Sequence, residues 1–233
     1  LSTLPTIYGE KIVMRVLDLS SAIDDLEKLG FSDSNLKHFK QMINRPNGIV
    51  LITGPTGSGK SSTLYAGLSN LNDEDVNIIT VEDPVEYQLQ GINQIQVKEE
   101  IGLTFATGLR SILRQDPDIV MVGEIRDFET AQIAVRASLT GHLVLSTLHT
   151  NNAIESITRL KDMGVEPFLI SSSVLAVAAQ RLIRVLCNDC KKAYKPSAIY
   201  LESIGVAPDH FNGGHIYKAV GCDKCIGTGY RGR

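Results

Sequence analysis

One segment constrains this chain more than any other: residues 54–61, with the sequence GPTGSGKS, fit the pattern G-x-x-x-x-G-K-S/T. An apolar run at 49–53 precedes it and is suited to a strand buried on both faces, and a helical segment begins at Lys60. A strand, a glycine-rich turn and a helix N-terminus in this order present main-chain N–H groups to a phosphate. The segment predicts a phosphate-binding loop, and an ordinary glycine-rich turn is the weak alternative.

Such a loop predicts a site for ATP and Mg²⁺. Main-chain N–H groups of residues 56–60 would surround the β-phosphate, Lys60 would reach the β- and γ-phosphates, and the Ser61 hydroxyl would ligate Mg²⁺. The residues expected to bind the nucleotide are Gly54, Pro55, Thr56, Gly57, Ser58, Gly59, Lys60, Ser61 and Ser62.

Short apolar runs alternate with helical segments along the chain. Further candidate strands are residues 78–81, 119–122 and 143–147, and candidate helices are residues 33–44, 60–71, 104–114, 129–139 and 152–163. This alternation predicts an α/β fold with a mainly parallel sheet. The apolar stretch 167–184 is interpreted as another helical region, too interrupted to span a membrane.

Two carboxylates at predicted strand ends would complete a hydrolytic site. Glu82 follows strand 78–81 in the segment VEDPVE, and Glu124 closes IVMVGE, the layout of a Walker B segment with Glu in the usual Asp position. One carboxylate can hold the Mg²⁺ shell while the other orients or deprotonates the attacking water. Acidic residues also cap strands and turns, so either one alone is equally compatible with a structural role.

Two histidines flank the strand 143–147 in the segment GHLVLSTLHTN. The odd offset between His142 and His149 puts them on opposite faces of a strand, which argues against a metal pair. His149, at the carboxyl end, is placed to contact or sense a γ-phosphate, whereas His142 is better suited to ordering the chain or meeting a neighbour. A purely structural role is the alternative for both.

All four cysteines fall into two C-x-x-C pairs, Cys187 with Cys190 and Cys222 with Cys225. Four thiolates are enough to close a tetrahedral Zn²⁺ site, although the gap between the pairs exceeds the common ~15–20 residues. A redox-active pair and an iron site are the alternatives. A metal with four protein ligands has no open position, so its expected role is to stabilise a small subdomain that lacks a core.

Composition narrows the classes of function. A net charge of −3, an aromatic content of 6% and the absence of Trp count against a nucleic-acid-binding module, which favours basic grooves and stacking platforms. That module and a nucleotide-binding scaffold without turnover stay as the alternatives. With no signal peptide or 18-residue apolar run, the chain is expected to be cytoplasmic.

In this order, GPTGSGKS, VEDPVE, LRQDPDIVMVGEIRD and GHLVLSTLHTN closely resemble the secretion and pilus-assembly ATPases. Those are the cytoplasmic motors of type II secretion and type IV pilus systems, and the resemblance covers nearly the whole chain. It implies a RecA-like P-loop core that works as a homo-hexameric ring, with ATP bound between subunits or between the two domains of one subunit.

The resemblance also implies residue roles. Glu82 is the expected general base, Glu124 is the Walker B glutamate and a Mg²⁺ ligand together with Ser61, and His142 and His149 form the family's histidine box.

Three arginines are implied as further contacts. Arg110 and Arg114 precede the Walker B strand and are expected to serve the γ-phosphate or an interdomain contact, with solvated helix charge as the alternative. Residues 1–15 resemble the end of the family's smaller N-terminal domain, whose arginines close over the nucleotide, and Arg15 is the candidate.

We expect three parts. Residues 1–18 would be the end of a PAS-like N-terminal domain and the start of a linker, 19–185 the RecA-like ATPase core, and 186–233 a zinc-binding subdomain truncated at its C-terminus. Because the chain starts without Met in a strand-like run, we expect a fragment of a longer protein.

The tetracysteine module is typical of the family's assembly branch, whereas retraction motors generally lack it. The implied partners are the inner-membrane platform and cytoplasmic-domain proteins of the machine, with only indirect membrane contact and no nucleic acid. A pilus-retraction motor is the alternative within the family.

Overall fold

The computed structural model describes residues 2–14, 25–206 and 215–233. The chain divides into two compact units, Leu1–Arg181 and Leu182–Arg233. Arg15 and the expected boundary at residue 18 lie outside the described residues. No helix in the described ranges is long and apolar enough to cross a membrane.

The first unit starts with an exposed antiparallel hairpin of β1 (Ser2–Thr6) and β2 (Gly9–Val13). Its turn is closed by the Thr6 hydroxyl, which donates to the carbonyl oxygen of Gly9 at 2.7 Å.

A six-stranded sheet with exclusively parallel pairing forms the centre of this unit, in the spatial order β5-β4-β6-β7-β3-β8. Its strands are β3 (Gly48–Thr53), β4 (Ile78–Glu82), β5 (Asn93–Gln96), β6 (Ile119–Val122), β7 (Leu143–Leu148) and β8 (Val174–Ala179). The four inner strands are buried along their whole length. Their Val-, Ile- and Leu-rich sequences are those of strands covered on both faces.

Among the described residues of this unit, six helices and two short 3₁₀ helices (Leu26–Leu29 and Glu99–Ile101) surround the sheet. The helices are α1 (Asp33–Ile43), α2 (Lys60–Leu71), α3 (Phe105–Ile112), α4 (Phe128–Leu139), α5 (Ala153–Asp162) and α6 (Pro167–Ser173). One apolar cluster contains residues of α1, α2 and the sheet. A second apolar cluster contains residues of α3, α4, α5, α6 and the sheet. The predicted α/β class with a mainly parallel sheet is thereby confirmed.

Helix starts differ in one informative way. Ser32, Thr104, Asp127 and Asn152 cap α1, α3, α4 and α5 by accepting a main-chain N–H with their side chains. Helix α2 instead begins after Gly59, at a φ of 85°, with no side-chain cap. Its first N–H groups therefore remain to be satisfied by another partner.

The prediction of a helical region at 167–184 is wrong after residue 173. The helix ends at Ser173, and residues 174–179 continue as β8, parallel to β3. The sequence VLAVAA is apolar throughout, so its pattern does not separate a strand from a helix, and pairing with the open edge of β3 decides. The short, polar edge strand β5 was not predicted, because its sequence NQIQ carries little strand signal.

The second unit contains β9 (Lys192–Tyr194), α7 (Ala198–Ser203), β10 (Ile216–Lys218) and a 3₁₀ helix at Asp223–Cys225, with β9 and β10 antiparallel. Among its described residues, the buried hydrophobic side chains are Cys187, Leu201 and Cys225. A single aliphatic side chain makes no hydrophobic core, so this unit needs another source of stability.

The packing of α3 generates a stability prediction. Leu109→Ala removes a side chain that is 0% exposed, and we expect it to lower the free energy of unfolding by about 2–5 kcal/mol. Urea unfolding followed by circular dichroism measures this. Leu139→Ala, at a position 43% exposed, is the matched control with an expected loss below about 1 kcal/mol, and equal losses would contradict the packing described.

Candidate functional site

The register of the sheet brings four strand ends together. Thr53 of β3 pairs with Leu148 of β7, Val122 of β6 pairs with Ser146 of β7, and Val81 of β4 pairs with Val122. Because all these strands run in the same direction, the residues that follow them emerge at one edge of the sheet.

A cleft of about 630 Å³ lies at this edge. It is lined by residues 56–62 of the predicted loop together with Glu82, Glu124 and His149. Leu64, Phe105 and Met121 add apolar surface. The structure therefore brings most of the predicted site residues into one concave site, while Gly54 and Pro55 form the base of the loop.

Gly54 shows why the loop requires glycine. Its φ is 142°, and a Cβ atom at this position would lie 2.2 Å from the carbonyl oxygen of Gln180. Neither the backbone angle nor the space allows a side chain, so the close approach of the loop to residue 180 fixes the residue type.

Two polar groups of the loop are suited to an anion. The Lys60 ammonium donates to the carbonyl oxygens of Gly54 at 3.0 Å and Pro55 at 3.2 Å, and burial lowers its pKa while the Glu124 carboxylate opposes this shift. The Ser58 hydroxyl is buried without a hydrogen-bond partner among the described residues. With the uncapped start of α2, these groups fit a phosphate.

Glu82 is held by neutral donors. Its side chain lies at the end of β4, and the residue is 4% exposed. The hydroxyls of Tyr65 and Thr80 donate to its carboxylate, the latter at 2.5 Å, and the Gln94 side-chain amide donates at 3.1 Å. All three donors are neutral side chains.

Glu124 is contacted by an arginine and a histidine instead. Arg126 donates to its Oε1 at 2.5 Å, and His149 Nε2 lies 2.8 Å from its Oε2. The hydrogen bond to Glu124 raises the pKa of Arg126, with burial opposing, and the guanidinium also lies 4.0 Å from Asp83. His149 thus lies in the cleft and contacts Glu124, the carboxylate that the Walker B pattern indicated.

Sequence reasoning did not single out Arg126 or Tyr65. Arg126 stands two residues beyond Glu124 in the segment GEIRD, where its position after a strand-end carboxylate was an available signal. Tyr65 offered no such signal, because the sequence shows only an aromatic residue on a helix. Its contact with Glu82 depends on how α2 packs on the sheet.

Three described residues of the prediction are not brought to the cleft. His142 lies at the opposite end of β7, with Nδ1 3.0 Å from the carbonyl oxygen of Ala137. Arg110 is exposed on α3 and pairs with Glu129, and Arg114 is exposed just beyond that helix. Arg15 lies outside the described residues.

The four cysteines of the second unit form a compact cluster. All four sulfur atoms lie within 4.8 Å of one another, with Sγ–Sγ distances of 4.0 Å for Cys187–Cys222 and 3.8 Å for Cys190–Cys225. Ligands about 2.3 Å from a tetrahedral metal are separated by about 3.8 Å, so the cluster fits such an ion, whereas a disulfide needs about 2.05 Å.

Main-chain N–H groups point at two sulfur atoms of the cluster. The N–H groups of Cys222 and Gly229 lie 3.2 Å from the Cys225 sulfur, and that of Gly221 lies 3.3 Å from the Cys190 sulfur. Burial opposes ionisation of Cys225, but the N–H groups of Cys222 and Gly229 bring the pKa of its thiol down to about 6. Burial raises the pKa of the Cys190 thiol to about 11, although the Gly221 N–H opposes this shift. The cluster is therefore able to hold a metal ion.

Comparison with known proteins adds independent information. The family model described as "Type II/IV secretion system protein" matches residues 1–233. Type II secretion system protein E of Pectobacterium carotovorum subsp. carotovorum is 60% identical over 232 residues, which cover 100% of this chain and 46% of that protein. Type IV pilus assembly ATPase PilB of Myxococcus xanthus (strain DK1622) is 57% identical over 233 residues, which cover 100% of this chain and 41% of that protein. The chain thus spans less than half the length of these relatives.

A solved structure supports the fold. The crystal structure of the pilus retraction motor PilT with bound ADP superposes with a TM-score of 0.64 at 34% identity, covering 78% of this chain and 54% of that one.

The tight approach at Gly54 generates a prediction. Gly54→Ala forces a Cβ atom against the main chain at Gln180, and we expect a loss of about 2–4 kcal/mol in the free energy of unfolding. Gly102→Ala is the control, since its φ is 75° but no atom lies within 4 Å of the added Cβ, so that strain alone costs about 1 kcal/mol. Thermal unfolding measures both, and equal losses would contradict the close approach.

Proposed function

This chain belongs to the type II/IV secretion system protein family, and we propose that it is the ATP-hydrolysing part of a motor that drives pilus or pseudopilus assembly. The match over residues 1–233 confirms the family resemblance of its motifs. The activity of the whole protein is part of the proposal, because the chain spans 46% of its secretion relative. One observation carries it: the phosphate loop, Glu82 and Glu124 meet in one cleft.

We assign the nucleotide to this cleft. Lys60 would exchange its two carbonyl partners for the β- and γ-phosphates, and the N–H groups at the start of α2 would bind the β-phosphate. Ser61 and Glu124 would hold Mg²⁺, which supplies neutralisation of the phosphate charge when bound.

Glu82 would act as the general base. It would orient a water molecule for in-line attack on the γ-phosphorus and accept its proton, while the bond between the γ-phosphorus and the bridging oxygen breaks and ADP leaves. Its carboxylate receives hydrogen bonds from three neutral side chains and lines the cleft, which supports this role. Glu124, paired with Arg126 and facing His149, is better suited to a metal than to a proton.

Sequence similarity favours an assembly motor over a retraction motor. The secretion protein E and PilB relatives match the whole chain at 60% and 57% identity, whereas the retraction motor PilT is 34% identical and covers 78% of it. The tetracysteine cluster points the same way. We place the motor at the cytoplasmic side of the inner membrane as a homo-hexamer, held there by the platform and cytoplasmic-domain proteins of its machine.

We further propose that the metal of the second unit is structural zinc. Four sulfur ligands at tetrahedral spacing leave no open coordination position for chemistry. The unit buries a single aliphatic side chain among its described residues, so the metal would supply the stability that its core does not.

The role of Glu82 is tested by Glu82→Gln in the intact protein. We expect kcat for ATP hydrolysis to fall by about 10²–10⁴-fold, because the amide cannot accept the proton, while the Kd for ATP changes little. Glu74→Gln, in the exposed loop after α2, is the control with unchanged kcat. Hydrolysis at the normal rate in Glu82→Gln would overturn this assignment.

Zinc is tested by metal analysis of the purified protein. We expect about one zinc per chain, lost in Cys225→Ser together with the thermal stability of residues 182–233. Ser203→Ala, on the surface of the same unit, should keep its metal. A well-folded sample with less than about half a zinc per chain would contradict the proposal.

A further inference from the structure

Tyr65 makes an unusual contact for a core residue. It lies on α2, is 1% exposed, and its hydroxyl donates to Oε2 of Glu82. A buried tyrosine normally finds a partner for its hydroxyl, but that partner is here the carboxylate that lines the nucleotide cleft. The contact joins the helix that follows the phosphate loop to the strand that carries Glu82.

The other oxygen of the same carboxylate is fixed as well. Thr80 Oγ1 donates to Oε1 at 2.5 Å, and Gln94 Nε2 donates to it at 3.1 Å. Both carboxylate oxygens therefore have fixed donors, from α2, β4 and β5. A glutamate side chain has three rotatable bonds, and these donors determine its orientation.

Tyr65 is itself held in place. Its ring meets that of Tyr87 edge to face, with centroids 4.7 Å apart and an angle of 77° between the planes. Burial, and after it the hydrogen bond to Glu82, raises the pKa of Tyr65 well above its usual value, so the phenol stays protonated and able to donate.

We propose that Tyr65, together with Thr80, is a positioning residue for ATP hydrolysis that fixes the Glu82 carboxylate in the orientation needed to activate water. This inference rests on the proposed function of Glu82. Tyr65 also lines the cleft, and in this role it acts through the hydrogen bond to Glu82. Packing of the Tyr65 ring alone is the competing explanation.

The first variant is Tyr65→Phe in the intact protein, which removes one oxygen atom and keeps the ring. Loss of the fixed orientation of the base slows the chemical step but does not weaken substrate binding. We therefore expect kcat to fall by about 10–100-fold, with KM within about twofold of the original. Ser173→Ala, which removes a buried hydroxyl from α6, is the control and should leave both constants unchanged. An unchanged kcat in folded Tyr65→Phe would overturn the proposal.

A double-variant cycle separates positioning from packing. Because Tyr65 acts through the Glu82 carboxylate, Tyr65→Phe in a Glu82→Gln background should produce no further loss of kcat. A further loss of full size would overturn the positioning role and leave the ATPase function intact. If Glu82→Gln alone hydrolyses ATP normally, the proposed role of Glu82 fails first, and the inference fails with it.

Thr80→Val provides a second route, which also decides the matter if Tyr65→Phe folds poorly. It removes the donor to the other oxygen from within β4 and is close to isosteric. The same pattern is expected, with reduced kcat, nearly constant KM and no additional effect in Glu82→Gln. A Thr80→Val protein that folds and hydrolyses ATP at the original rate would overturn the proposal.

Discussion

Parallel pairing of β3, β4, β6 and β7 is the constraint on which the cleft depends. Each strand is buried on both faces, and burial of both faces requires a position at the centre of the sheet. With all four running the same way, the phosphate loop, Glu82, Glu124 and His149 follow strand ends at one edge. A shift of register in any of these strands would separate groups that the proposed hydrolysis needs within a few ångströms.

The two carboxylates of the cleft differ in their surroundings, and this difference supports different roles for them. Glu82 receives hydrogen bonds from two hydroxyls and an amide, whereas Glu124 is met by a guanidinium and an imidazole. The Glu124 carboxylate lies beside a guanidinium and occupies the position expected of a Mg²⁺ ligand. The donors around Glu82 instead fix the orientation of its side chain, which suits a general base.

Local motifs predicted much of this site because a short segment is enough to determine where each of these groups lies relative to its own strand. The glycine-rich segment sets the loop, and a carboxylate directly after an apolar strand must emerge at the edge of the sheet. His149 lies in the cleft by the same rule, since it follows β7. His142 belongs to the same segment but precedes the strand, and the length of β7 therefore keeps it away from the cleft.

What the sequence did not predict depends on contacts between distant segments. Tyr65 reaches Glu82 only because α2 packs on the sheet, and residues 174–179 form a strand only because β3 has an open edge. Arg110 stands near the Walker B segment in sequence, but the helix directs it to Glu129 on the surface. Periodicity describes one element at a time, so partners from other elements stay hidden until the fold is known.

Hydrogen–deuterium exchange of the intact protein with a slowly hydrolysed ATP analogue and Mg²⁺ tests the central claim, that one edge of the sheet is the nucleotide site. We expect the analogue to slow exchange in peptides that contain residues 54–62, 80–87, 121–126 and 147–150, because their main-chain groups line or support the cleft. Exchange elsewhere in the sheet, including β5 and β8, should change much less. Protection confined to another surface, or no change at a concentration that saturates binding, would contradict the assignment.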